Sequence, residues 1–237
     1  MAEKKSISFQ WIAIAIIAAS VIISGTIIYT NNSNKGTTGQ NNNQQGTGNN
    51  QPVAVDASKV NISNNPYIGD KNARLLVIEW FDYQCPFCKR FHDEVIAQVI
   101  KDYIDSGKVK VVFKDYAFLG SDSVTAALAG RAVWEVAPDK FYKWHNAMFV
   151  KQDTENGGWG NKADILALTK SLGIDSDKVS QLMTSKASEY QKLIDADKAE
   201  GTSFGIQGTP GTIVGNQMIS GAQPYATVKA AIDSQLK

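Results

Sequence analysis

Cys85 and Cys88 are the only thiols in a chain of 237 residues, and they stand three positions apart in Cys85-Pro86-Phe87-Cys88. Two thiols at that spacing can close a disulfide and reopen it by exchange, which is two-electron redox chemistry. Ahead of the pair runs Leu75-Leu76-Val77-Ile78-Glu79-Trp80-Phe81, almost wholly apolar. Behind it Phe91, Val95, Val99 and Tyr103 recur every four residues, with Ile96, Ile100 and Ile104 beside them. The motif therefore falls where a buried strand turns into an amphipathic helix. Cys85 lies at the helix N-terminus, where unpaired N–H groups and the positive end of the dipole stabilise a thiolate and raise the fraction able to attack a disulfide. Pro86 suits the first turn, where its missing N–H costs nothing. Cys88, one turn inside, is expected to be more buried and to resolve a mixed disulfide formed on Cys85.

The competing readings of a lone Cys-x-x-Cys are half of a metal site and an ordinary structural bridge. Zinc needs four ligands, and only His92 and His145 could join the cysteines. His92 could share the face of Cys88, four residues before it, but a helix start that favours anionic sulfur does not by itself favour such a cluster. We read the pair as a redox dithiol, with no bound metal or organic cofactor implied. Each histidine is expected at the surface or half-buried, outside the chemistry.

The elements that must position the pair follow from pattern. The helix ends at Gly107, and Lys108-Val109-Lys110-Val111-Val112-Phe113 reads as a second strand, a β-α-β unit with parallel pairing. From about Ser121 to Phe204 the pattern is helical, broken at Pro138, Asn156-Gly157-Gly158, Gly173 and near Ser185. After Gly208-Thr209-Pro210-Gly211 come Thr212-Ile213-Val214 and Gln217-Met218-Ile219, joined by the hairpin signal Gly215-Asn216. Gln223-Pro224 opens a last helix reaching Leu236.

The first 51 residues are different material. No charge occurs from Ser6 to Asn34, and residues 12–29 are mostly Ile, Ala and Val, long enough to span hydrocarbon. Lys4 and Lys5 precede this stretch, so the positive-inside rule puts the N-terminus in the cytoplasm and the rest of the chain outside. A cleaved signal peptide is the alternative, but the apolar stretch is longer than the ~7 to 15 residues of such a segment. Residues 1–30 are thus expected to be a transmembrane anchor. Residues 31–51 hold eight Asn, four Gln and four Gly without an aliphatic or aromatic side chain, so they read as a flexible linker. A coil of 21 residues spans about 25 Å. The remainder, 52–237, is one α/β domain carrying a net charge of about −1 once Glu3, Lys4, Lys5 and Lys35 are set aside. With 24 basic against 23 acidic residues overall, no basic excess exists to bind nucleic acid.

The segment Phe81-Asp82-Tyr83-Gln84-Cys85-Pro86-Phe87-Cys88 resembles the active-site segment of the DsbA-like thiol-disulfide oxidoreductases of the thioredoxin superfamily. Asn65-Pro66-Tyr67-Ile68-Gly69-Asp70 resembles the family's lead-in, and the likeness covers about residues 64–237. It implies a thioredoxin fold with a helical insertion, here at about 120–204, and an enzyme that exchanges thiols and disulfides outside the cytoplasm. It also implies a cis bond at Thr209-Pro210, whose loop would face the dithiol and pair with an extended substrate, and it assigns Pro86 and Phe87 to the substrate surface. Glu79, six positions before Cys85, matches an acidic residue that many DsbA-like proteins bury beneath the active site. Its two readings are a proton acceptor for Cys88 with a raised pKa and a strand-edge carboxylate reaching solvent. Phe87 departs from the Cys-Pro-His-Cys of the founding members, which removes one source of thiolate stabilisation. The resemblance favours an oxidase acting on thiols of exported or unfolded proteins and reoxidised by a membrane protein of the DsbB or VKOR type. The alternatives are a reductase or isomerase on the same fold and, from another class, a membrane-tethered chaperone or peptide-binding module.

Overall fold

The computed structural model describes residues 53–237. The expected anchor and linker lie outside these residues. Among the described residues no helix is long and apolar enough to cross a membrane. The expected strand is β3, Leu75–Phe81, and it sits inside a six-stranded sheet. On one side it pairs in parallel with β4, Val109–Asp115, and on the other antiparallel with β5, Gly211–Val214. The hairpin partner β6, Gln217–Ser220, follows β5 through the expected Gly215-Asn216 turn. Two short strands that hydrophobic patterning did not foresee close the edges. Val53–Ala54 (β1) pairs with β6, and Tyr67–Gly69 (β2) pairs antiparallel with β4. With two and three residues they carry no readable alternation.

Alternation along β3 separates two cores. Leu75, Val77 and Phe81 join the larger one, with Cys88, Phe91 and the insertion helices, whereas Ile78 and Trp80 join a smaller one with Val112 and Ile213. Glu79 shares the parity of Val77 and Phe81 and so faces the cysteine side.

The crossover helix α1 starts as Pro86–Phe91 and continues through π-helical turns His92–Ile96 and Ile100–Ile104 about a short α-helical stretch Ala97–Val99. The wider turns agree with the strict four-residue repeat, because an unmodified α-helix of 3.6 residues per turn would carry those apolar residues off the sheet. Phe91, Val95, Val99 and Tyr103 are all buried. Gly107, at φ +68°, supplies the left-handed residue that ends the helical run.

The insertion comprises α2 (Ser121–Val136), α3 (Phe141–Lys151), α4 (Lys162–Ser171), α5 (Ser176–Ser185) and α6 (Ala187–Ser203), broken where proline, glycine and Ser185 imply. A final helix α7, Tyr225–Gln235, follows the hairpin. The helix α6 approaches the sheet so closely that a Cβ on Gly201 would lie 2.7 Å from Trp80 Nε1.

Beneath α6 a buried ionic cluster binds the insertion to β4. Lys114 Nζ lies 2.7 Å from both Asp197 Oδ1 and Glu200 Oε2, and Arg131 Nε donates to Asp115 Oδ2 at 2.6 Å. Arg131 also donates through Nη2 to Asp197 Oδ2, which further accepts from the Asp115 N–H at 3.0 Å. Burial of charged side chains on a strand is tolerable here because each has an opposite charge and hydrogen bonds waiting.

Candidate active site

The chain turns at Asp82 between strand and helix, and the turn is braced from several directions. Asp82 Oδ1 accepts from the Gln84 N–H at 2.9 Å and the Ser123 hydroxyl at 2.7 Å, while Oδ2 accepts from the N–H groups of Phe118 and Leu119 at 2.9 and 3.2 Å. Gln152, just past α3, donates to the carbonyls of Tyr83 (2.6 Å) and Cys85 (3.1 Å). Gln84 accepts from the Asn156 N–H at 2.9 Å. Two segments of the insertion thus hold the backbone that presents Cys85. Asp82 and Gln84 lie in the segment that carries the family likeness, but the roles of Gln152 and Asn156 had no signal, since their partners are about 70 positions away.

Cys85 caps α1 and Pro86 is its first residue, as the spacing predicts. Both sulfurs are free thiols, Cys85 4% exposed and Cys88 fully buried. The Cys85 pKa is lowered to about 6, first by the hydrogen bond from Cys88, against the cost of burial, and then by the backbone N–H groups of Cys88 and Phe87. Cys88 moves the other way. Burial pushes its thiol well above the usual range, and the negative charges of Cys85 and Glu79 push it further. The two sulfurs are therefore divided into a thiolate and a thiol at neutral pH. Alkylation of the reduced protein should give a fast phase on Cys85 with a midpoint near pH 6, with Cys88 unlabelled at the same pH. A fast phase titrating at the ordinary ~8.5 would show that the helix start does not stabilise the thiolate.

The loop before β5 meets this pair. The Thr209-Pro210 bond is cis, and Cys85 Sγ lies 3.4 Å from the Thr209 carbonyl oxygen, to which it donates when protonated. Phe87 is 56% exposed beside the thiols, with the Arg90 guanidinium 5.3 Å from its ring centre.

Glu79 is fully buried and neither carboxyl oxygen finds a hydrogen-bond partner among the described residues, so the solvent-reaching reading does not hold. Burial, and next the charge of Cys85, raise its pKa to about 8. The histidines correct the sequence reading. Both are fully buried in an aromatic cluster between α1 and α3, where His92 stacks on Phe149 and His145 Nδ1 meets the Tyr83 hydroxyl at 2.8 Å. Desolvation keeps them neutral, lowering His92 to about 4. An aromatic lining on α3 buries them, and single histidines in a helical pattern do not reveal it.

A sheet with β3 at its centre, an anionic sulfur capping the following helix, a buried partner thiol and a cis-proline loop against them define a thioredoxin-fold thiol-disulfide oxidoreductase with a helical insertion. A family model described as Thioredoxin matches residues 61–234. The disulfide bond formation protein D of Bacillus subtilis is 32% identical over 179 residues, which is 74% of this chain and 79% of that protein. The probable disulfide bond formation protein D of Bacillus cereus is 28% identical over 72% of this chain and 78% of its own. Among solved structures, oxidised BdbD of Bacillus subtilis aligns with a TM-score of 0.69 at 31% identity, covering 79% of this chain and 99% of that one. The catalytic domain of Proteus mirabilis ScsC aligns with a TM-score of 0.64 at 28% identity, over 76% and 93%. The chain belongs to the thioredoxin family, as an enzyme of the DsbA-like thiol-disulfide oxidoreductase type.

Proposed function

We propose that the protein is a disulfide-forming oxidase, tethered by residues 1–30 through the linker 31–51 and acting outside the cytoplasm on thiols of exported or unfolded proteins. The observation that carries the direction is the low proton affinity of Cys85. A sulfur held as thiolate is a good leaving group and stabilises the dithiol, which makes the disulfide a stronger oxidant.

In this reading a substrate thiolate attacks Cys85 of the oxidised pair, the Cys85–Cys88 bond breaks and Cys88 leaves with the electron pair. Glu79 returns a proton to the Cys88 sulfur and takes it back when the pair is reoxidised, a task suited to a carboxyl titrating near neutrality. The second substrate thiolate then attacks the substrate sulfur of the mixed disulfide. Cys85 departs as thiolate, leaving a disulfide in the substrate and two electrons in the enzyme. Thr209 and Pro210 offer backbone beside Cys85 on which an extended substrate can lie, while Pro86 and the exposed Phe87 form the adjoining apolar surface. Because the chain has only two cysteines, the electrons must leave to an external acceptor, and a DsbB-like or VKOR-like membrane partner fits that need.

The reduction potential of the pair tests the direction. A value well above the ~ −270 mV of thioredoxin is expected, and one at or below it would make the protein a reductase. Protease added to cells stripped of their wall should digest the domain and spare the N-terminus. Protection of the domain would overturn the outward orientation.

A further inference from the structure

We infer that Glu79 and Thr212, unpaired among the described residues, turn towards each other so that the Thr212 hydroxyl hydrogen-bonds the Glu79 carboxyl, which makes Thr212 a positioning residue that sets its proton affinity. The inference rests on the role proposed for Glu79 above. Glu79 and Thr212 stand directly opposite one another in the antiparallel β3–β5 pair. Opposed residues of such a pair project to the same face, with Cβ atoms about 4.5 to 5.5 Å apart. That face is the cysteine side, because Val214, two residues on from Thr212, packs with Val77, Phe81 and Cys88.

Both residues are fully buried, and the two Glu79 oxygens and Thr212 Oγ1 lack hydrogen-bond partners among the described residues. Three orphan polar atoms on adjoining residues in an apolar core are costly separately and complementary together. On its other side Glu79 faces Phe113, which offers no polar group.

The remaining titratable and charged groups over this face are Cys85, Cys88 and His92 on α1 or its cap, Tyr83 in the turn, Tyr142 and His145 on α3, and Asp115 with Arg131. Several are engaged elsewhere. Tyr83 meets His145, His92 Nε2 lies 3.2 Å from Asn146 Oδ1, and Asp115 accepts from Arg131. The Thr212 hydroxyl is suited to the carboxyl in either protonation state, donating to the carboxylate and accepting from the acid. The charge-assisted bond to the carboxylate is the stronger of the two. The bond to Thr212 therefore opposes the effect of burial on Glu79.

The test follows Glu79 itself. In protein labelled with carbon-13 at glutamate Cδ, the Glu79 resonance is identified by its loss in Glu79→Gln and titrated in the parent, Thr212→Val and Thr212→Ser. Valine keeps the shape and removes the hydroxyl, so the midpoint should rise by about one pH unit, a tenfold loss of carboxylate at a given pH. Serine restores the hydroxyl and should return the midpoint to the parent's. An unmoved midpoint in folded Thr212→Val, or an equal rise in Thr212→Ser, overturns the inference. The pH profile of Cys88 reactivity, measured on the same variants, reports separately on the proton exchange. If the Glu79 midpoint rises in Thr212→Val while that profile stays fixed, the pairing stands and the proton-exchange role of Glu79 falls.

Discussion

Cys88→Ala should convert the enzyme from one that turns over into one that is trapped. Its Cys85 thiolate can still attack a disulfide, but no internal thiol remains to displace the adduct, so a mixed disulfide accumulates and turnover drops to the uncatalysed background. Cys85→Ser should form no adduct, because Cys88 is fully buried and its thiol is held well above the usual titration range. The trap has a kinetic signature of its own. The hydrogen bond from Cys88 is the largest influence lowering the Cys85 pKa, so Cys88→Ala should move the titration of Cys85 up from about 6, and adduct formation at neutral pH should slow accordingly. Non-reducing electrophoresis with mass spectrometry reads the adduct, and stopped-flow alkylation reads the shift. An adduct on Cys88 in the Cys85→Ser protein would reverse the two roles.

The largest effect on stability is expected at Arg131, in the ionic cluster beneath α6. Arg131→Ala would leave Asp115 and Asp197 buried together without the cation that joins them. Removing one partner of a buried ion pair costs about 3 to 5 kcal/mol. For a domain of this size that corresponds to a fall in Tm on the order of 10 °C. The loss should depend on pH in a known direction. Burial raises the Asp115 pKa to about 6 even against the attraction of Arg131, and without Arg131 it rises further. A carboxyl whose folded pKa exceeds its unfolded value of ~3.9 weakens the fold as pH rises through that window. The deficit of the variant should therefore be smaller at pH 5 than at pH 7, as thermal melts at the two values would record. Equal deficits would mean that lost packing, not an unpaired charge, is responsible.

Much of the redox centre was legible along the chain. A Cys-x-x-Cys at the junction of an apolar strand and an amphipathic helix specifies which thiol caps the helix and which lies a turn inside, because the capping position and the first turn are local properties of a helix. The strand β3, the hairpin and the helical insertion follow likewise from spacing, since side-chain period reports local backbone geometry. Glu79 marks the limit. Its identity drew notice, but whether it faced water or the thiols depended on the parity of a strand covered on both sides, where continuous hydrophobicity erases alternation. The histidines were misread for a related reason, as only the packing of α3 against α1 encloses them. Gln152 bracing the Cys85 carbonyl, Arg131 joining Asp115 to Asp197 and Thr212 set opposite Glu79 are pairings between residues far apart in the chain. No local period encodes such pairs. Folding alone brings them together, because a buried polar group must find its partner wherever the chain returns.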